Sequence, residues 1–320
     1  MPAIPSFLRL GLAALATSSQ VLYDGRAPSN ITAANLDASS GPYLSGVKGS
    51  EAASHYTTFL DASTAPGTPF TAPGTPLWPA PDNAISITID NTSIFTPGAN
   101  APQNGFRRTE LIAQPTAAGA DRNAFNAAME SGTTAFHFSV QADAAHPLNV
   151  THEYQVVWIE PSDGSHVFDL QIGTPFNTAE SAAANSLRIR AHDGTVLFAT
   201  AFAADTWHNF AVAVDWAART LQTFYSADAA PLSQVTDALP NASAGAGAAG
   251  QGDFHFGVLK LPLPNPSDTP ANQGDVVHFG LQEGSTDGLL YSGVFVEGAE
   301  NGVSVGGAAS ASPFNAARRP

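Results

Sequence analysis

Cysteine is absent from all 320 residues. That excludes thiolate chemistry, Cys-ligated zinc and any disulfide framework. Cations are scarce: 12 Lys and Arg stand against 27 Asp and Glu, a formal charge of −15, with a pI near 4.7. A chain this acidic repels phosphate backbones and anionic lipid, so neither nucleic acid nor a membrane is expected as a partner. A neutral polymer suits it better. The sequence shows no His-Glu-x-x-His helix, Asp-rich calcium loop or Gly-rich phosphate cradle, so no metal or cofactor is expected. Nor is a serine-hydrolase elbow read in it.

What is present is apolar residues in short alternating runs. Hydrophobic residues make up 43% of the chain, with 19 Phe among them, enough for a well-buried core. Period-two alternation with β-branched and aromatic residues predicts strands at 85–89, 135–140, 154–158, 166–170 and 186–190. The same pattern recurs at 209–215, 220–225, 253–257, 276–279 and 291–297. Asp163-Gly164, Asp193-Gly194, Asp287-Gly288 and Asn301-Gly302 read as turns, and 121–130 as the one helix. Short strands without βαβ alternation predict an all-β fold, a sandwich or barrel with few short helices.

The N-terminus has the shape of a signal peptide: Arg9, an apolar run from Leu10 to Ala16, then small residues. That run is far shorter than the ~20 residues of a membrane span. Sequons at Asn30, Asn91, Asn149 and Asn241 agree with secretion. The expected organisation is a signal peptide over 1–19, one catalytic domain over 20–305 and a flexible tail over 306–320. The Pro-rich stretch 61–82 and the Ala/Gly stretch 242–250 read as loops within that domain. The protein is expected to be extracellular and monomeric.

Two segments carry candidate chemistry. In Gly105-Phe-Arg-Arg-Thr-Glu-Leu-Ile112, strand alternation puts Arg108 and Glu110 on one face and Arg107, Thr109 and Leu111 on the other. An Arg on the same face lowers a carboxylate's pKa and fixes its rotamer; the same pair would also serve as an ion pair on a sheet edge. In Val150-Thr-His-Glu-Tyr-Gln-Val-Val-Trp-Ile-Glu160, alternation puts Glu153, Gln155, Val157 and Ile159 on one face. It puts His152, Tyr154, Val156, Trp158 and Glu160 on the other. Two carboxylates on nearby strands are what glycoside hydrolysis needs, one to protonate the leaving oxygen and one to activate water or attack the anomeric carbon.

Phe106-Arg-Arg-Thr-Glu-Leu-Ile112 followed by His152-Glu-Tyr-Gln-Val-Val-Trp158 resembles glycoside hydrolase family 131, fungal broad-specificity β-glucanases. Leu22-Tyr-Asp-Gly-Arg26, Trp207 to Val212, Phe256 to Lys260 and Gly293 to Glu297 extend the likeness, in order, from about residue 21 to 305. The resemblance implies a β-jelly-roll sandwich of two antiparallel sheets with a concave substrate cleft. It also implies activity on β-1,3-, β-1,6- and β-1,4-linked glucans, and Glu110 and Glu153 as the catalytic pair. Arg108, Gln155, His152 and Lys260 are the residues expected to support them and bind the glucan. Two other readings stand beside this one: a polysaccharide lyase of jelly-roll type, which Arg-Thr-Glu-Leu also resembles, and a carbohydrate-binding protein without turnover. A lyase must neutralise a uronate carboxylate, which the −15 charge opposes.

Overall fold

Alternating runs can bury one face each only by pairing into sheets and stacking. In the computed structural model they do so over the described residues: 19–60, 75–78, 84–98, 100–117, 119–176, 178 and 183–306. The expected leader (apart from Ser19), most of the Pro-rich loop and the tail from 307 onward lie outside the described residues.

In chain order the strands are Val21–Asp24 (β1), Tyr43–Leu44 (β2), Thr57–Leu60 (β3), Ala84–Ile89 (β4), Arg107–Ala113 (β5), Thr133–Ala142 (β6), Glu153–Pro161 (β7) and Phe168–Gly173 (β8). They continue with Ser186–Ala191 (β9), Val196–Ala201 (β10), His208–Asp215 (β11), Thr220–Ala227 (β12), Ser233–Gln234 (β13), Leu239–Pro240 (β14), Gly252–Lys260 (β15) and Asp287–Gly298 (β16). One sheet runs β13-β12-β11-β6-β16-β4-β3, with β1 added to β16 and β14 to β12. The other runs β10-β9-β8-β7-β15-β5-β2. Both are antiparallel, a jelly-roll-type sandwich as expected.

The core lies between the sheets. Phe136 of β6 meets Phe254 of β15 edge-on, with centroids 5.0 Å apart, and Phe256 packs on Tyr291 of β16 at 5.8 Å. Each such ring contributes ~1.5–3 kcal/mol on burial. The expected helix forms at Arg122–Met129, where the Asp121 side chain accepts from the amides of Asn123 and Ala124.

Three local expectations are corrected. Val276–Phe279 is a turn, not a strand: the amides of His278 and Phe279 both donate to the Asp275 carbonyl, and the Asp275 carboxylate also holds the His278 ring. Asp287-Gly288 opens β16 rather than making a turn, because Lys260 and Tyr154 hold Asp287 inside and the Gly288 amide donates to His146. The strand expected from His166 begins at Phe168.

The largest departure from alternation is in β7. Gln155 pairs with Gln171 and Val157 with Leu170, so Val156 is an extra residue against β8. Val156 and Val157 both join the core. A bulge of this kind re-aims every residue beyond it. Trp158 and Glu160 therefore join Glu153 and Gln155 on the outer face, while Tyr154, Val157 and Ile159 face inward, which overturns the strict alternation expected for this strand.

Candidate active site

β5 and β7 flank β15, so Glu153 stands on the central strand of the seven-stranded sheet and Glu110 two strands from it. On β5, Thr109 and Leu111 are buried and Leu111 belongs to the main core, while Arg108 and Glu110 take the outer face. The Arg108 guanidinium grips Glu110 with both arms, Nε to Oε1 at 2.6 Å and Nη2 to Oε2 at 2.7 Å. His255 Nδ1 adds a third contact to Oε2 at 2.9 Å. The carboxylate side chain has 0% exposed surface. Burial alone would push its pKa up; the charge of Arg108 and the hydrogen bonds from His255 and Arg108 outweigh it and hold the group below the usual carboxylate range. Gly257 stands across from Glu110, and a Cβ there would collide with the Thr109 carbonyl and the Glu110 Cα.

Glu153 is held by a second set of donors. Arg190 Nη2 reaches Oε1 at 2.9 Å, Gln155 Nε2 reaches the same oxygen at 3.2 Å, and the Phe176 amide donates to Oε2 at 2.7 Å. That amide is delivered by the turn after β8. Gly173 has φ +85, and a side chain there would strike the His152 carbonyl. Arg188 fastens the turn by donating to the carbonyls of Gly173 and Ala183 and to Gln171.

The two carboxylates belong to one continuous outer face. His255 lies flat on Trp158, with centroids 5.0 Å and planes 13° apart, and His166 covers the other side of the indole at 5.3 Å. His166 contacts Asp169, which shares Arg190 with Glu153. Burial opposes ionisation of Asp169, but His166 and Arg190 hold its pKa below the ordinary value. Trp158, Leu259 and Leu261 form an apolar cluster beside the carboxylates, with Phe106 and Phe176 packed against it.

Of the expected support residues, Arg108 and Gln155 contact Glu110 and Glu153 directly. His152 and Lys260 are brought together elsewhere: Lys260 turns inward to Asp287 at 2.7 Å and Glu283 at 2.6 Å, and His152 Nε2 meets Glu283 at 2.9 Å. Lys260 draws Glu283 down to about 2, against its partial burial. His255, Arg190, Asp169 and Glu160 also belong to the outer face, although no motif in the sequence marks them. The expected absence of Gly-x-Ser-x-Gly is corrected: Gly302-Val-Ser-Val-Gly306 has that spelling. Ser304 there follows β16 and donates to Glu297 Oε2 at 2.7 Å, so it is no strand-to-helix elbow. Among the described residues, no group of three or more His, Asp or Glu could hold a metal ion.

The family model described as glycoside hydrolase 131 catalytic N-terminal domain matches residues 21–302. The structure is similar to a GH131 β-glucanase catalytic domain from Podospora anserina, with a TM-score of 0.63 and 25% identity, covering 90% of this chain and 98% of that one. It is likewise similar to the catalytic domain of a glycoside hydrolase family 131 protein from Coprinopsis cinerea, with a TM-score of 0.62 and 25% identity, covering 91% of this chain and all of that one. Among curated protein sequences, none matches. With its family model matched over 21–302, this chain belongs to glycoside hydrolase family 131 and is a glycoside hydrolase.

Proposed function

We propose that the chain is a secreted hydrolase of β-linked glucans that cleaves β-1,3, β-1,6 and β-1,4 bonds with Glu110 and Glu153. One observation carries the reading: two Arg-clamped carboxylates stand on the same outer face, on the strands flanking β15. The structural relative from Podospora anserina bears the name β-glucanase. A neutral glucan also suits a chain of formal charge −15. The half-buried Phe106 and Phe176, packed on the buried Trp158 and Leu259, offer an apolar surface for glucose rings, whose C–H faces pack on aromatic surfaces.

The full burial of Glu110 under its two-armed Arg108 clamp suggests the division of labour, with Glu153 taking the acid role by elimination. Glu110, held ionised, supplies the basic side, and His255 Nε2 carries that charge toward the outer face. Glu153 supplies the proton to the leaving oxygen. β5 and β7 stand two strand spacings, ~10 Å, apart, with Glu110 level with Gly257 of β15 and Glu153 level with Leu261, four residues further along the chain. Such a wide setting leaves room for a water and favours inversion over the ~5–5.5 Å pairing of retaining enzymes. Secretion is part of the proposal. The sequons at Asn30 and Asn91 are exposed, whereas Asn241 is buried with its amide donating to Val167 and Asn149 donates to Glu283.

The test is reducing-sugar release from laminarin and mixed-linkage glucan. Glu110→Gln and Glu153→Gln should each lower turnover at least ~100-fold with the circular-dichroism spectrum kept. Near-normal turnover in either variant removes that residue from the mechanism. The anomer first released, followed by NMR, should be α; a β product would show retention.

A further inference from the structure

Glu160 is not one of the proposed pair, yet the bulge at Val156 turns it onto their face. Trp158 Nε1 donates to Glu160 Oε2 at 3.0 Å. The same oxygen faces His255 Nε2 at 4.0 Å, while the opposite ring nitrogen lies 2.9 Å from Glu110 Oε2. One imidazole thus spans a carboxylate with no exposed surface and one whose side chain is 31% exposed. The ring is fixed in that bridging position by its stack on Trp158, 5.0 Å away and 13° from parallel.

A hydrolase must return its acid and base to their starting protonation after every bond cleaved. Glu110 has no surface from which to lose a proton directly. We propose that Glu160 is the outlet of a proton relay running from Glu110 through His255, and so a positioning residue for the reaction. The proposal rests on Glu110 being the basic member of the pair. As the water oxygen bonds to the anomeric carbon and the glycosidic C–O bond breaks, one water proton passes to His255 Nε2 while the Nδ1 proton moves to Glu110 Oε2. The leaving oxygen takes a proton from Glu153. The reset moves a proton from Glu110 Oε2 to His255 Nδ1 as the Nε2 proton passes to the Glu160 carboxylate, which a small side-chain rotation brings into contact. Glu160 then gives that proton to solvent, and Glu153 regains one from solvent. No electrons change hands, and the net change is the added water.

The groups facing Glu160 are compatible with a charged outlet. Arg108 on β5 interacts favourably with it. Asp253, its partner on β15, is occupied by Arg122 and Asn126. His166 and Asp169 lie beyond Trp158.

The experiment compares full-length Glu160→Gln, Glu160→Ala, Glu110→Gln and Glu153→Gln with the wild type on laminarin from pH 4 to 8, with circular dichroism of each. Glu160→Gln should lower kcat ~10-fold or more, keep KM within about twofold, and displace one limb of the kcat–pH profile. Added formate should restore part of the kcat of Glu160→Ala, a rescue that a merely structural role would not show. Wild-type kcat and pH profile in Glu160→Gln, with Glu110→Gln inactive, would overturn the relay alone. Full activity in Glu110→Gln would instead overturn the carboxylate reading beneath it.

Discussion

The hydroxyl of Tyr291, on the nine-stranded sheet, crosses the core and donates to the carbonyl of Val156 at 3.3 Å in the bulge of the other sheet. It also reaches the carbonyl of Gly257, across from Glu110. Buried carbonyls released by a bulge need a partner, and here one phenol serves both strands that flank the register shift. The outward aim of Trp158 and Glu160 depends on that shift. Tyr291→Phe should cost ~1–3 kcal/mol, the penalty for a buried acceptor left unsatisfied, read as a lower thermal midpoint. Because the bulge positions His255's stacking partner, kcat should fall further than the residual folded fraction explains. A variant with lower stability and wild-type kcat would show that Tyr291 holds the core and not the site.

Lys260 supplies a second case in which packing decides between roles. Its ammonium lies 2.7 Å from Asp287, whose side chain is 1% exposed and also accepts from Tyr154. Removing one member of a buried pair strands the other, at a cost of ~3–5 kcal/mol. Lys260→Met should therefore lower the thermal midpoint sharply, while KM for laminarin in the folded fraction stays within about twofold. A raised KM with an unchanged midpoint would return Lys260 to the substrate-binding set.

Much of this was readable from the residues, and the failures share a cause. Alternation located most strands, and the Arg108–Glu110 pair sits on one face because β5 is regular. Alternation could not show the extra residue at Val156, since a bulge is a property of pairing with β8 and not of β7 by itself. One unseen residue moved Trp158 and Glu160 to the other face. His255 did carry a signal: it alternates with Phe254 and Phe256, so two core rings force it outward. Arg188 and Arg190 alternate with Leu187 and Ile189 in the same way, and are two of only 12 cations. Lys260 was harder, because the regular alternation of β15 that sends it inward becomes meaningful only when Asp287 of β16 is known to wait there.

Glu130 sets the pH dependence expected at the other end of the sandwich. It follows the helix Arg122–Met129, and one oxygen accepts from the Gly252 amide while Oε1 is buried without a partner. The residue helps line a small cavity with Trp216, Arg219 and Asn241 beneath the Ala/Gly loop. Burial, aided by the charge of Asp253 and opposed by the Gly252 amide, pushes its pKa up from 4.5 to about 8. The folded chain therefore holds this proton more tightly than the unfolded chain does. Its contribution to stability is complete below about pH 4.5 and drains away as pH climbs to about 8. Glu110, Asp169 and Glu283, whose pKa values are lowered, contribute in the opposite sense and are lost on acidification. The wild-type thermal midpoint should accordingly peak in mildly acidic buffer and decline toward pH 8. Glu130→Gln keeps the shape and an acceptor for Gly252 but cannot ionise, so its midpoint should stay flat over that range and exceed the wild type at pH 8. Parallel declines in the two proteins would show that Glu130 is not the group that titrates.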